Sequence, residues 1–240
     1  MISRTEGWVG NRQRSLEMYK LNAGVLLMVD GCDEYLISDS QAAANLHGLL
    51  PDWSESDRQV ILGPALVLAL ALCGTWCLHA SAVTYRDKTV AFVGESGQGK
   101  STLAAYLSSS PNWRLVADDI LPVEIGARGM GALSHFPQLK LSPAAQPGRS
   151  LPELLPLHSI CALTPAGEDK TAELELLPPN LAIQVLLSHT AGTRMFSAEM
   201  LGSHLSFCSQ AARQIPVYRL PYPHREDVLP VIRELLENLC

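Results

Sequence analysis

Positive charge is scarce in this sequence. Lys and Arg total 18 against 24 Asp and Glu, for a formal net charge of −6. No basic stripe exists to displace counterions, which excludes general nucleic-acid binding. C-x-x-C pairs are absent too: Cys32, Cys73, Cys77, Cys161, Cys208 and Cys240 are scattered. Cys73, Cys77 and His79 lie close in sequence, but no second Cys/His cluster at zinc spacing accompanies them, so core cysteines are expected. The polar beginning has no apolar h-region of a secretory signal. Reduced thiols and a cytoplasmic location are therefore the expectation. Internal repeats and low-complexity tails are missing as well.

Residues 59–85 contain no Lys, Arg, Asp or Glu. Such a run raises the question of a membrane helix. Gly63, Pro64, Gly74 and Thr75 interrupt it, and no Lys/Arg cluster flanks it. The expectation is a buried helix from Pro64 to about Cys73, with Pro64 in its first turn, and no membrane span. With 47% hydrophobic and 18% charged residues over 240 positions, one sizeable domain with a small addition is expected.

What is present centres on one stretch. Lys88-Thr-Val-Ala-Phe-Val93 is apolar and β-branched, as a strand requires. It stops at Gly94-Glu95-Ser96-Gly97-Gln98-Gly99. Lys100-Ser101-Thr102 then opens a helical run with Leu103, Ala104, Ala105 and Leu107. Residues 94–101 satisfy G-x-x-x-x-G-K-[ST], the Walker A pattern, between the strand and helix it needs. A chain of this length meets that string by chance with a probability of roughly 0.01.

The pattern has a physical purpose. Glycines admit positive φ and keep Cβ atoms away, so backbone N–H groups can converge on phosphate oxygens. The helix N-terminus adds unpaired donors and partial positive charge. Lys100 is placed to reach the β- and γ-phosphates, and the Ser101 hydroxyl to hold Mg²⁺.

Residues 108–112 break the helix, and Trp113-Arg-Leu-Val-Ala117 reads as the next strand, ending in Asp118-Asp119. Open α/β sheets bind ligands at the C-terminal ends of their strands. One carboxylate suits a metal and the other suits a proton from an attacking hydroxyl. A solvated turn or a helix cap is the plainer alternative.

Leu78-His79-Ala-Ser-Ala-Val83, the Walker A residues and Arg114-Leu-Val-Ala-Asp118-Asp119 together resemble the catalytic core of HPr serine kinase/phosphorylase and its smaller relatives. Kinases of lasso-peptide precursors are among those relatives. Phe136-Pro-Gln-Leu-Lys-Leu141 is similar to their P-x-L-K-L segment. The resemblance implies an α/β fold: a P-loop kinase core of the HPr kinase/PEP carboxykinase-like type, with a mixed sheet, flanking helices and a small N-terminal β-rich part. It implies Asp119 as the base, His79 as an assistant at the active site, Lys100 and Ser101 on phosphates and metal, and Asp118 supporting metal or geometry. The full-length family's R-G-L-G string and large N-terminal domain are absent, which argues against HPr as the acceptor. Full-length members assemble into oligomers, and the sequence fixes no subunit count.

Elsewhere, residues 1–14 show no clear periodicity and read as a frayed beginning. Val25-Leu-Leu-Met-Val29 and Tyr35-Leu-Ile37 read as strands around a turn at Asp30-Gly31, and residues 49–52 as a break. Ala80-Ser-Ala-Val-Thr-Tyr85 reads as a strand paired with 88–93 through a turn at Arg86-Asp87. Residues 121–125 lead into a Gly-rich loop, 126–131. Leu139-Lys140-Leu141 alternates like a strand, and Lys140 is a candidate to stabilise charge on the transferring phosphoryl group. Residues 144–156, rich in Pro and Gly, read as a lid or acceptor-binding loop. His158-Ser-Ile-Cys-Ala-Leu163 and 172–176 read as strands, and Pro179-Asn180 introduces a helix. Arg194 is a candidate phosphate contact whose plainer reading is a helix-end arginine. His204 reads as a surface or boundary residue on a helix over 200–208. Residues 215–220 read as an edge strand, before a terminal helix with Val228, Ile232, Leu235, Leu236 and Leu239 on one face.

Residues 1–58 are thus expected to form a β-rich segment packed on a catalytic domain at 59–240. The expected activity is transfer of the γ-phosphoryl of ATP, with Mg²⁺, to a serine-type hydroxyl of a peptide or small protein. Residues 94–102 and Lys140 would bind the nucleotide, Ser101 and Asp118 the metal. Two alternatives are a small-molecule hydroxyl kinase and a non-catalytic nucleotide-binding regulator. A transporter ATPase would need an L-S-G-G-Q string and a much later Walker B Asp, and neither is present.

Overall fold

Two paired strands stand where the sequence predicts a frayed beginning. β1 (Ser3–Val9) and β2 (Arg12–Leu21) pair antiparallel, from Ser3 opposite Met18 to Val9 opposite Arg12. β3 (Gly24–Val29) and β4 (Asp33–Ile37) continue the meander, giving the order β1-β2-β3-β4. Leu16 and Met18 of β2, Val25, Leu27 and Val29 of β3, and Ile37 of β4 are all buried. Their pairing puts them on one face, as period-two alternation requires. The turn after β3 is the expected one, with Asp30 and Gly31 at φ 53° and 72°.

The computed structural model describes residues 2–9, 12–22, 24–37, 54–141, 151–167, 170–223 and 225–240. The predicted break at 49–52, and most of the predicted loop at 144–156, lie outside them. The described backbone forms two compact units, Met1–Cys77 with Ala191–Leu205, and Leu78–Thr190 with Ser206–Cys240.

In the first unit the helix begins earlier than Pro64. Ser54 caps α1 (Glu55–Val60): its side chain accepts the Asp57 N–H, and the Asp57 carboxylate accepts the Ser54 N–H at 3.1 Å. This reciprocal capping box satisfies two orphan donors. A π turn (Ile61–Ala65) then carries Gly63 at non-helical angles and Pro64 inside the helix. Proline has no N–H and its ring crowds the preceding turn, so a wider turn absorbs it. α2 (Leu66–Leu72) follows, burying Val67, Leu68, Ala69 and Ala71. No helix among the described residues is long and apolar enough to cross a membrane. His204 is also unlike its sequence reading. It is 1% exposed, with its ring 4.9 Å from that of Trp76 and 5.8 Å from that of Phe196.

β5 (Trp76–His79) leads into the second unit. β6 (Ser81–Tyr85) and β7 (Lys88–Val93) form the predicted hairpin. Arg86 and Asp87 sit at φ 48° and 66°, as a two-residue turn of this hand needs. α3 (Lys100–Ser108) follows the glycine loop, and β8 (Trp113–Ala117) returns antiparallel to the far side of β6. β9 (Ile120–Gly126) and β10 (Gly129–Leu133) form a hairpin, so the predicted glycine loop shrinks to a turn between strands.

β11 (Leu154–Pro165) takes up the end of the predicted lid. It runs antiparallel to β10 and then parallel to both β7 and β13 (Val217–Tyr222). Only β12 (Glu175–Leu176) forms from the predicted strand at 172–176, and it lies on β13. α4 (Pro179–Ser188) starts where Pro179-Asn180 predicts, whereas α5 (Ala198–Gln214) outruns its predicted bounds. α6 (Leu229–Leu239) closes the chain. Leu103 and Leu107 of α3 and Ile232 and Leu236 of α6 join Val83, Val90, Phe92 and Cys161 in one buried cluster. Burial pushes the Cys161 thiol up, so it behaves as a core hydrophobe. The result is the expected mixed sheet with flanking helices, plus a β-rich N-terminal part.

Candidate active site

Strand register decides what meets at the sheet edge. Ala82 of β6 pairs with Ala91 on one side and Ala117 on the other. β7 and β8 are both antiparallel to β6, hence parallel to each other, two strand spacings or roughly 10 Å apart. Their C-terminal ends finish on the same edge, so Gly94 follows one strand where Asp118 and Asp119 follow the other. His79 and Ala80 run into β6 between them. The Ala80 N–H donates to the Asp119 carbonyl at 3.0 Å, extending the ladder to the acidic pair. One extra residue of β8 bulges beside Ala82, next to that pair.

The glycine loop is held from three sides. Gly94, Gly97 and Gly99 have φ of 151°, 84° and 79°. At Gly94 a Cβ would meet the Gln98 side chain and, at 3.1 Å, the Leu163 carbonyl oxygen; at Gly99 it would meet the Tyr222 hydroxyl. Tyr222, 4% exposed at the end of β13, donates its hydroxyl to the Gln98 carbonyl at 2.9 Å. Gln98 Oε1 accepts the Glu95 N–H at 2.8 Å. Lys100 Nζ turns back to the carbonyls of Gly94 and Glu95, at 2.7 and 3.1 Å. Glu95, Ser96, Gly97, Ser101 and Thr102 are exposed, and Lys100 is 9% exposed.

The acidic pair divides its contacts. Asp119 Oδ1 takes Lys140 Nζ at 2.6 Å and lies 3.4 Å from His79 Nδ1. Asp118 Oδ1 accepts the Ser81 hydroxyl at 3.1 Å. Lys140 is not in a strand: residues 137–141 turn, and Leu141 N–H bonds back to the Gln138 carbonyl at 3.0 Å. That turn brings Lys140 over the sheet edge to Asp119.

Charge and burial compete here. Burial pushes the His79 imidazole below its usual range, opposed by Asp119 and reinforced by Lys100 and Lys140. Burial also lowers Lys100, while Asp119 and Glu95 pull it back up. Lys100 therefore feels the acidic pair across the edge.

His79, Asp118, Asp119, Lys140 and the glycine loop thus gather on one edge of one unit. Arg194 lies in the other unit, exposed on a 3₁₀ turn, Thr193–Met195.

Sequence reading overlooked three residues. Gln138 is 2% exposed and accepts the N–H groups of both Asp118 and Asp119. Tyr222 braces the loop. His189 caps α4, and its carbonyl accepts the His79 N–H at 2.7 Å. Burial lowers the His189 imidazole, which feels Glu95, Lys100 and His79 in turn. Only Gln138 lies within a motif singled out beforehand, at its variable position.

No family model matches the chain, and no curated protein matches it either. Among solved structures, the Hpr(Ser) kinase/phosphatase from Coxiella burnetii is similar over 68% of this chain and 88% of its own, at 14% identity and a TM-score of 0.39.

Proposed function

We propose that this chain is an ATP-dependent kinase that transfers the γ-phosphoryl group to a serine-type hydroxyl of a peptide or small protein. One observation carries the reading: the Gly94–Lys100 loop and the Asp119 carboxylate end on the same sheet edge, with His79 at the end of β5, two residues before the strand β6 that lies between them.

In this reading the loop N–H groups and the N-terminus of α3 bind the β- and γ-phosphates. Lys100 leaves the Gly94 and Glu95 carbonyls for phosphate oxygens. Asp119 takes the proton of the acceptor hydroxyl as its oxygen bonds to the γ-phosphorus. The bond from that phosphorus to the β–γ bridging oxygen breaks, and ADP leaves with the electron pair. Lys140, within reach of Asp119, stabilises charge on the transferring group.

The described residues contain no cluster of three or more His, Cys, Asp and Glu able to cage a metal. Mg²⁺ in nucleotide sites needs less: one or two carboxylates, with phosphates and water completing the shell. Ser101, exposed at the start of α3, and the Asp118 oxygen not bonded to Ser81 fit that requirement. When bound, Mg²⁺ would neutralise phosphate charge as it shifts towards the leaving group.

The test is γ-labelled ATP with Mg²⁺ offered to a library of serine-containing peptides, the product sites being mapped by mass. Labelled phosphoserine is expected. ATP binding with no transfer to any peptide or small-molecule hydroxyl would replace the kinase reading with that of a nucleotide-binding regulator.

A further inference from the structure

The Asp118–Asp119 turn follows the last residue of β8, and the bond from the Ala80 N–H to the Asp119 carbonyl carries the ladder one step into it. Both of its N–H groups point at one atom, Gln138 Oε1, at 2.9 and 3.1 Å. The Gln138 Nε2 donates to the Ile120 carbonyl at 2.9 Å and the Phe136 carbonyl at 3.1 Å. Gln138 is 2% exposed, and the residues it bonds, Asp118, Asp119 and Ile120, are half-buried. An amide has one acceptor oxygen with two lone pairs and one NH₂ with two donors. Here both ends are fully used.

We infer that Gln138 is a positioning residue for phosphoryl transfer: its side-chain amide sets the orientation of the Asp118–Asp119 turn, and through it the Asp119 carboxylate. The inference rests on the kinase reading and deepens it. Three consecutive residues, Asp118, Asp119 and Ile120, bond to one side chain, which fixes the two N–H groups of the turn while the Ala80 N–H holds the Asp119 carbonyl. The same segment delivers Lys140, two residues further on, to Asp119 Oδ1. Gln138 therefore sets the base and its cationic neighbour together. The charge at this point also matters. A neutral amide satisfies two N–H groups without a third negative charge beside two carboxylates, which a Glu would add. A displacement near 1 Å at a reacting group costs about 100-fold in rate. The side chain acts through Asp119 and touches no substrate.

The experiment follows ATP turnover with Mg²⁺, using water and the serine-peptide library as acceptors, in wild type, Gln138→Met and Gln138→Asn. Methionine keeps the volume and removes the amide; asparagine draws it back by one methylene. ATP affinity and thermal unfolding are measured alongside. Leu236→Ala serves as a control for stability loss, since Leu236 is a buried residue of α6, in the core and outside the edge. We expect kcat to fall about 100-fold in the Met variant and at least about 10-fold in the Asn variant. ATP KM should stay within about twofold, and the control should keep its kcat. Wild-type kcat in a folded Met or Asn variant overturns the inference. So does an equal loss of kcat in the Leu236→Ala control, or failure of both Gln138 variants to fold, because the residue would then be a core requirement only. A wild type that binds ATP and phosphorylates nothing sinks the kinase reading instead, and so is told apart from the failure of this inference.

Discussion

Lys140 Nζ lies 2.6 Å from Asp119 Oδ1, although the two residues are twenty-one positions apart and the Lys140 side chain is 66% exposed. An exposed ion pair contributes little to stability, about 0–1 kcal/mol. In the proposed reaction its value is positional: it would hold a cation where the phosphoryl group passes.

Lys140→Met should accordingly separate activity from stability. Phosphoryl transfer is expected to fall at least about 10-fold, while unfolding free energy moves by less than about 1 kcal/mol. Paired urea melts and initial rates check this. A matched loss of stability with unchanged rates would make Lys140 a structural ion-pair partner.

The loop brace can be tested by coupling two substitutions. Gly99 is at φ 79°, and a Cβ there meets the Tyr222 hydroxyl. Gly99→Ala should weaken ATP binding at least about 10-fold, since positive φ and the clash act together. Tyr222→Phe removes the hydroxyl, so the double variant should regain part of that loss in a binding titration. Strictly additive effects would remove Tyr222 from the account of the loop.

His204 gives a pH dependence with a definite sign. Burial between Trp76 and Phe196 depresses its imidazole in the folded state. The unfolded chain, with an ordinary value of 6.5, then binds the proton more readily. The contribution is therefore complete above 6.5 and is lost as pH falls below it. His204→Phe should make stability fall less steeply from pH 6.5 to about 5, measured by denaturant midpoints. Parallel curves for wild type and variant would contradict this. His79 and His189 are lowered in the same direction, so some slope remains.

The parts of the site that were legible in the sequence are contiguous. Residues 94–101 carry their own backbone requirements, and Arg86-Asp87 between two apolar runs states its hairpin locally. Where partners are distant, the sequence misleads. Gln138 looks like filler in P-x-L-K-L because its partners are eighteen to twenty residues back. Leu139-Lys140-Leu141 alternates, but three residues cannot separate a strand from a turn. β1 and β2 escape notice because only one face of that sheet is buried, and its polar positions dilute the alternation. Pro64 attracts a helix start, although Ser54 and Asp57 three residues apart mark the real one. His204 draws its apolar surroundings from Trp76, 128 positions earlier.

The central claim is that Asp119 takes a proton opposite the phosphate loop. Single-turnover transfer of the γ-phosphoryl group by Asp119→Asn, with ATP affinity measured on the same preparation, tests it most directly. Loss of transfer by at least about 100-fold, at ATP affinity within about twofold of wild type, is the predicted result. Transfer at the wild-type rate would contradict the account.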